Sequence, residues 1–274
     1  MTFNFGKSRW SLDMIIETLD WLRVKTRGGV SQLLERLGIS YKRGREYVHS
    51  PDRNYREKLD LLEIARLRAM YAPERYIFLY EDEVTFYLQP TVARAYEEQG
   101  RMQALARRSH ATNSCARIVA AMNAMTGQTI YRQQNKITVP CLVNFWYDVR
   151  KSYPEAETIY VVVDNWPVHF HPDVLAPLQA QNFPWPPKLP PNWPIEPSTG
   201  AKHDNLPIQL ICLPTYASWL NPIEKLWRWL RQDVLHLHRL SKDWLGLRQC
   251  VVDFMDRFKF DSLSLLRYTG LLPG

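Results

Sequence analysis

The most informative segment of the chain reads Leu213-Pro214-Thr215-Tyr216-Ala217-Ser218-Trp219-Leu220-Asn221-Pro222-Ile223-Glu224-Lys225-Leu226-Trp227. Its pattern predicts the end of a strand, a short loop and a helix in which Asn221 is the cap and Pro222 the first residue. Apolar side chains then recur at steps of three and four, which indicates one buried helical face: Ile223, Leu226, Trp227, Leu230 and Val234. The segment therefore predicts that Glu224 is held rigidly on a first helical turn beside a strand end.

The same residues also have a purely structural explanation. Asn221 and Glu224 have the spacing of a capping box, and Glu224 and Arg228 have that of an i,i+4 ion pair. Taken alone, the segment favours this structural role for Glu224. A catalytic role requires further acidic residues at the same place in the fold.

Two further groups of acidic residues follow apolar runs of the kind that form strands. Arg75–Tyr80 leads into Glu81-Asp82-Glu83, and Thr158–Val163 leads into Asp164-Asn165. Ligands bind at the carboxyl ends of strands in open α/β sheets, so acids at the ends of different strands converge. At about 4 Å and an effective dielectric constant of about 20, two carboxylates repel by roughly 4 kcal/mol, which a shared cation or a captured proton relieves. Three converging acids predict a metal site.

Three motifs together carry a family resemblance. They are Asp82-Glu83 after a hydrophobic strand, Val163-Asp164-Asn165 followed closely by His169, and Leu213–Tyr216 leading into Leu220–Glu224. This combination resembles the mariner-like superfamily of transposases, in its bacterial insertion-sequence branch, over most of the chain. The resemblance implies an α/β fold with an RNase H-like mixed sheet flanked by helices. It also implies an Asp-Asp-Glu catalytic triad: Asp82, Asp164 and Glu224.

The resemblance also selects Asp82 among three consecutive acids, which spacing alone cannot do. It implies that the triad holds two Mg²⁺ or Mn²⁺ ions about 3.5–4 Å apart, with Asp82 bridging both and Asp164 and Glu224 each completing one coordination sphere. Ligand sets made only of oxygen atoms suit these cations. The implied enzyme is a DNA transposase, an endonuclease and polynucleotidyl transferase that cleaves at terminal inverted repeats and joins the freed 3′-hydroxyl to target DNA.

Composition and charge narrow the class of protein. The chain has 274 residues, 46% of them hydrophobic, and ten tryptophans, which is typical of a folded protein and not of a disordered one. Its formal charge of +7 favours a polyanionic partner, and the resemblance implies that this partner is double-stranded DNA, as element ends and as target. With no bilayer-spanning apolar run and no secretory signal, we expect an intracellular protein, and the resemblance implies that it is bacterial, cytoplasmic and nucleoid-associated. The four cysteines are far apart, which fits reduced thiols: Cys115, Cys141, Cys212 and Cys250.

The amino-terminal part predicts a small α-helical DNA-binding domain of helix-turn-helix type, with or without a wing. A helix is expected from Ser11 to Leu22 and a second from Ser31 to Leu37, ended by Gly38. A further short helix then carries three basic residues and would enter the major groove: Lys42, Arg43 and Arg45. The local pattern is equally consistent with a helical cap whose basic residues are solvated, and the resemblance favours DNA binding.

These patterns predict four regions: a helix-turn-helix domain in 1–52, a linker helix in 53–74, a catalytic domain in 75–240, and a C-terminal helix and tail in 241–274. Family members commonly have two helix-turn-helix modules, and only one fits before residue 53. The second is therefore expected to be missing from this chain or to come from another. A Pro-rich insertion, 182–205, cannot form a helix or a central strand. Its aromatic residues either pack on the domain surface or contact DNA or a second subunit: Phe183, Trp185 and Trp193.

Further elements follow from periodicity. The linker helix is expected over Tyr55–Tyr71, and an antiparallel hairpin over Ala116–Met122 and Thr129–Gln134. A helix over Cys141–Lys151 precedes the buried strand that leads to Asp164, and Gln209–Leu213 returns to the sheet beside that strand. The last predicted element is an amphipathic helix over Asp243–Phe258.

Basic residues on the Glu224 helix are candidates for contacts with DNA phosphates, with an ordinary solvated face as the alternative: Lys225, Arg228 and Arg231. His169 and His171 follow Asp164 closely, and histidines in such positions are more often structural. Two alternative functions remain open. One is a truncated or domesticated relative that binds DNA without cleaving it, and the other is an RNase H-like nuclease directed by DNA structure. Pairing two element ends also predicts a homodimer or higher oligomer on DNA.

Overall fold

The chain divides into two compact units, Met1–Val48 and His49–Gly274. The computed structural model describes residues 10–41, 49–98, 100 and 102–272. In the first unit, helix α1 spans Leu12–Thr18, a 3₁₀ turn spans Asp20–Leu22 and helix α2 spans Arg27–Arg36. Lys42, Arg43 and Arg45, with the recognition helix predicted for them, lie outside the described residues.

Two predictions for the first unit need correction. The helix expected from Ser11 to Leu22 ends at Thr18, and none of the side chains of α1 is buried, so packing provides little energy to extend it. Helix α2 begins at Arg27, four residues before the predicted start, because Thr26 Oγ1 accepts a hydrogen bond from the Gly29 N–H at 3.1 Å. The helix therefore starts at a capping threonine rather than at Ser31.

A mixed five-stranded sheet forms the centre of the second unit, in the order β3-β2-β1-β4-β5. The strands are β1 Tyr76–Tyr87, β2 Cys115–Asn123, β3 Thr129–Gln134, β4 Thr158–Val163 and β5 Ile208–Cys212. Strands β1, β2 and β3 pair antiparallel, whereas β4 pairs parallel with both β1 and β5. The predicted hairpin, central strand and returning strand are therefore confirmed.

Helices cover both faces of this sheet. They are α3 Tyr55–Tyr71, α4 Val139–Ser152, α5 Pro172–Leu175, α6 Ile223–Leu230, α7 Trp244–Asp256 and α8 Leu263–Thr269. One apolar core joins the sheet to α3, α6, α7 and α8, and a second joins the other face to α4 and α5. Among the described residues, no helix combines the length and the apolar character that a membrane span requires.

Strand β1 differs from its prediction in a way that affects the site. The acids were expected after the strand, but β1 continues through Glu81-Asp82-Glu83 to Tyr87. It pairs with β4 over Tyr76–Tyr80 and with β2 over Leu79–Tyr87. The strand continues because β2 provides a ladder partner and because apolar residues beyond the acids are buried: Val84, Phe86 and Leu88. The acids therefore lie inside a strand, at the point where pairing with β4 has ended.

The Pro-rich insertion, 182–205, contains no helix or strand, as predicted. The Phe183 ring lies 5.3 Å from that of Phe170, and the Trp193 ring 5.1 Å from that of His171, both in edge-on geometry. The Tyr147 hydroxyl on α4 donates to Asp204 at 2.6 Å. These contacts support the prediction of surface packing for Phe183 and Trp193.

Candidate active site

The register between β1 and β4 brings two of the predicted acids to one level. Tyr76 pairs with Thr158 and Tyr80 with Val162, so partners differ by 82 in residue number (158 − 76 = 82). Two residues further along, the same difference relates Asp82 to Asp164 (164 − 82 = 82). Parallel strands in this register therefore present both acids at the same edge of the sheet, beyond the carboxyl end of β4.

Alternation along β1 separates the three consecutive acids. Phe78 and Tyr80 belong to the core beneath α6, whereas Ile77 and Leu79 belong to the core beneath α4. Because successive side chains of a strand point to opposite faces, Asp82 continues the α6 side. Its Oδ2 accepts a hydrogen bond from Trp227 Nε1 of α6 at 2.8 Å.

A side-chain hydrogen bond joins the loop before α6 to β1, next to Asp82. The buried Asn221 side chain donates from Nδ2 to the Glu81 carbonyl oxygen at 3.0 Å. The predicted capping box is therefore wrong: Pro222 is the N-cap of α6 and no side chain caps the helix there. The Asn221 side chain instead provides a hydrogen-bond donor for a backbone carbonyl of β1. Glu224 lies on the first turn of α6 and is exposed.

Glu224 interacts electrostatically with each of the other two predicted triad carboxylates, Asp82 and Asp164. Burial and then the charge of Glu224 raise the pKa of Asp82 to about 8, against the opposing effect of the Trp227 hydrogen bond. Burial and the charge of Asp164 raise the pKa of Glu224, while the charges of Arg231 and Arg228 oppose that rise. The site thus contains mutually repelling carboxylates, which a cation would stabilise.

The three predicted triad side chains carry the donor type that a divalent cation binds, although among the described residues the set of three with ligand atoms within 4.8 Å of one another is Glu81, Glu83 and His169. The triad side chains offer only oxygen atoms, which are the ligands preferred by Mg²⁺ and Mn²⁺. Asp82 is oriented by Trp227, and Asp164 Oδ1 accepts a hydrogen bond from the backbone N–H of Trp166 at 2.7 Å. Hydrogen bonds of this kind orient metal-ligating carboxylates. The sequence reading missed Trp227, although its i,i+3 spacing from Glu224 was a usable signal.

The basic residues predicted to contact DNA have different environments. Arg228 and Arg231 are exposed, and their charges act on Glu224. The Lys225 amine instead donates to the Thr269 carbonyl oxygen at the end of α8, at 2.5 Å, so it makes a structural contact. Arg228 on α6 and Arg231 in the π-helical turn that follows it, Arg231–Leu235, therefore remain the better candidates for phosphate contacts.

A buried cluster of Glu81, Glu83 and His169 lies on the opposite face of β1 from Asp82. His169 Nε2 is 3.0 Å from Glu83 Oε1 and 3.5 Å from Glu81 Oε2, and one ligand atom from each of the three residues lies within 4.8 Å of the others. Burial, then the charge of Glu83, raise the pKa of Glu81 well above its usual range. By contrast, His171 accepts the Asp173 N–H at the start of α5 and contacts Trp193. Sequence pattern alone had not separated these two histidines.

A central mixed sheet with carboxylates at the carboxyl edge of its parallel strands defines an α/β protein with an acidic edge. The family model described as DDE superfamily endonuclease matches residues 78–245. The chain belongs to this family.

Similar proteins agree with this assignment. The insertion element IS630 uncharacterized 39 kDa protein of Shigella sonnei is 22% identical over 256 residues, which is 93% of this chain and 66% of that protein. The chain thus spans just under two thirds of its relative's length. Two solved structures share the fold, each matched over 100% of this chain and 78% of theirs with a TM-score of 0.58. They are the Mos1 transposase paired-end complex with left transposon end, at 14% identity, and the Mos1 mariner paired end complex with Mn, at 15%. These matches confirm the predicted RNase H-like fold and the resemblance to mariner-like and insertion-sequence transposases.

Proposed function

We propose that this chain is a DNA transposase that binds terminal inverted repeats and catalyses metal-dependent strand cleavage and strand transfer. The observation that carries the proposal is geometric, in a member of the DDE endonuclease family: the β1–β4 register sets Asp82 and Asp164 at one level, and α6, which carries Glu224 on its first turn, bonds to Asp82 through Trp227. Similarity to an insertion-element protein and to a transposase bound to a transposon end supports the same activity.

Asp82, Asp164 and Glu224 would hold the cations, and we propose two ions of Mg²⁺ or Mn²⁺ per site. When bound, such ions activate the attacking oxygen and neutralise charge on the leaving oxygen. The chain itself supplies orientation. Trp227 holds Asp82 and the Trp166 N–H holds Asp164, while the buried face of α6 fixes the first turn that carries Glu224.

The proposed substrate is double-stranded DNA, as element ends and as target. The formal charge of +7 favours this polyanion, and the exposed Arg228 and Arg231 would neutralise phosphates near the cleaved bond. Lys42, Arg43 and Arg45 would contact the terminal repeat. Because two ends must be paired, the proposal includes a homodimer or higher oligomer on DNA, located at the bacterial nucleoid.

A nicking assay on labelled terminal-repeat duplexes tests this proposal. We expect strand cleavage and joining with Mg²⁺ or Mn²⁺, and loss of both by at least 100-fold in each of three nearly isosteric variants, because each removes one charged ligand. These are Asp82→Asn, Asp164→Asn and Glu224→Gln. Binding of the repeat, measured by fluorescence anisotropy, should be retained.

The matched control is Glu155→Gln, which neutralises an exposed acid before β4 and should leave cleavage unchanged. Full activity of Asp164→Asn would contradict the proposal. Repeat binding without any cleavage by the unaltered chain would support the binding-only alternative. Cleavage that ignores the repeat sequence would support a structure-directed nuclease.

A further inference from the structure

The His169 side chain faces three carboxylates, two on β1 and one in the loop that follows β4. Its Nε2 atom is 3.0 Å from Glu83 Oε1 and 3.5 Å from Glu81 Oε2, both on β1. Its Nδ1 atom has no hydrogen-bond partner among the described residues and is 3.5 Å from Asp164 Oδ1, in the loop after β4. One imidazole ring therefore connects β1 to the loop that carries Asp164.

The side chains on the β1 side of this contact are buried, whereas the Asp164 side chain is half exposed. The side chains of His169 and Glu81 are 0% exposed and that of Glu83 is 16% exposed, whereas that of Asp164 is 50% exposed. Neither carboxylate oxygen of Glu81 has a hydrogen-bond partner, and within the described part of the chain His169 is the one basic side chain in ion-pair contact with Glu81 or Glu83. The ring is thus anchored in the buried cluster.

The anchored ring faces a carboxylate whose orientation is not fixed by the strand register alone. The β1–β4 register sets Asp82 and Asp164 at one level, but it does not fix the side-chain torsions of a half-exposed aspartate. Asp164 is held by the Trp166 N–H and faces the His169 ring, and the ring of Trp166 lies edge-on to that of His169, with 5.4 Å between centroids. His169 itself lies in a 3₁₀ turn, Pro167–Phe170.

We propose that His169 is a positioning residue of the metal site, which fixes the carboxylate of Asp164 relative to β1 and therefore relative to Asp82. The inference rests on the proposed function, since it takes Asp82 and Asp164 as cation ligands. Loss of a group that orients a metal ligand typically lowers metal affinity by about 10–100-fold. Residues on the face of β1 opposite Asp82 would therefore influence metal binding through His169.

Binding of Mn²⁺ to the full, DNA-free chain tests this inference, with free Mn²⁺ followed by electron paramagnetic resonance. The informative variant is His169→Gln, whose amide nitrogen can take the place of Nε2 against Glu83 but leaves nothing at the Nδ1 position against Asp164. We expect a Tm close to that of the unaltered chain together with a Kd for Mn²⁺ raised about 10-fold or more. If His169 has a purely structural role, both the Tm and the Kd for Mn²⁺ of His169→Gln should stay close to those of the unaltered chain.

A second variant, Glu83→Gln, weakens the other end of the connection and should also raise the Kd for Mn²⁺. It keeps the inference testable if His169→Gln does not fold. The matched control, His171→Gln, alters a histidine two residues away that caps α5, and should bind Mn²⁺ normally. If His169→Gln folds, a Kd for Mn²⁺ within twofold of that of the unaltered chain would overturn the inference. If it does not fold, the same result in Glu83→Gln would overturn it.

Asp82→Asn separates failure of this inference from failure of the proposed function. If the unaltered chain and Asp82→Asn bind Mn²⁺ equally weakly, the proposed metal site fails, and the inference fails with it. If Asp82→Asn abolishes binding while His169→Gln and Glu83→Gln do not, the inference alone fails. A tight Mn²⁺ site that survives Asp82→Asn but is lost in Glu81→Gln would mean that the buried cluster itself holds the ion, which would also overturn it.

Discussion

Consecutive residues of β1 have opposite environments. Asp82 faces α6 and receives the Trp227 hydrogen bond, whereas Glu81 and Glu83 face His169 on the other side of the sheet. A strand inverts its side-chain direction at every residue, so neighbours in sequence reach different faces. One acidic tripeptide therefore contributes both to the proposed metal site and to the buried cluster beneath it.

Trp227 is the residue whose substitution should affect Asp82 most directly, because its indole N–H donates a hydrogen bond to that carboxylate. In Trp227→Phe the ring remains largely in place but the donor to Asp82 Oδ2 is lost, and the pKa of Asp82 should rise further. We expect a decrease in the DNA nicking rate on the order of 10-fold and a loss of about 1–2 kcal/mol in the free energy of unfolding. Nicking kinetics and urea denaturation measure the two effects.

Trp229→Phe is the comparison for this variant. Trp229 lies on the same helix but stacks on Tyr268, with ring centroids 4.5 Å apart, and contacts Phe254 and Phe258. It should lose stability without loss of cleavage by the folded protein. Equal cleavage rates in the two variants would contradict the role given to Trp227.

A buried ion pair holds the loop between β5 and α6. Asp52 Oδ2 accepts hydrogen bonds from Lys58 Nζ and from the Thr215 N–H, each at 2.8 Å, and the Ser50 hydroxyl donates to the Thr215 carbonyl at 2.6 Å. Both charged side chains are 7% exposed. The start of the second unit thus fixes the segment that leads to Glu224.

This ion pair predicts a specific acid sensitivity. Burial opposes the charged form of Asp52, but Lys58 and the backbone N–H groups outweigh it and lower the pKa from 3.8 to about 2. Because the folded-state pKa lies below the unfolded value, the stabilisation is present above about pH 4 and is lost as the pH falls towards 2. Its size is about 2 kcal/mol. Urea denaturation of the unaltered chain and of Asp52→Asn, at several pH values, measures it.

Asp52→Asn should be less stable at pH 7 by about 3–5 kcal/mol, because it leaves Lys58 buried without its partner. It should also lose less stability than the unaltered chain between pH 4 and pH 2. Glu63→Gln, in the exposed pair with Arg66, should change stability by less than about 1 kcal/mol. An unchanged pH dependence in Asp52→Asn would rule out this explanation.

Some elements were predictable from sequence because local signals and packing agree in them. Helix α3 has the predicted bounds, and the β2–β3 hairpin turns at Gly127, where φ is 75° and a Cβ would collide with the Ser262 carbonyl. Other elements depend on distant partners. Asn221 has the local pattern of a cap but donates to Glu81, 140 residues away, and the contact of His169 with Glu83 spans 86 residues. Helix α8, capped by Ser262 and seven residues long, was not predicted because its stability comes from burial against the core.

At the scale of the whole second unit, topology brings the acids together. Strands β1 and β4 run parallel and deliver Asp82 and Asp164 to one edge, and the chain leaves β5 at that same edge to enter α6 with Glu224. Ligand sites form at this edge in open α/β sheets because strand ends and helix starts meet there. The order of elements therefore made it predictable that three distant acids lie at one edge of the sheet, while the face on which Asp82 lies depends on the register of β1.

The proposed divalent-cation site lies between Asp82, Asp164 and Glu224. The most direct measurement is anomalous diffraction at the manganese edge, from crystals of the full chain grown with Mn²⁺. We predict anomalous density on the α6 side of β1, with oxygen atoms of all three side chains as ligands. Manganese found only beside Glu81, Glu83 and His169, or an arrangement in which one of the three acids lies too far away to be a ligand, would contradict the account.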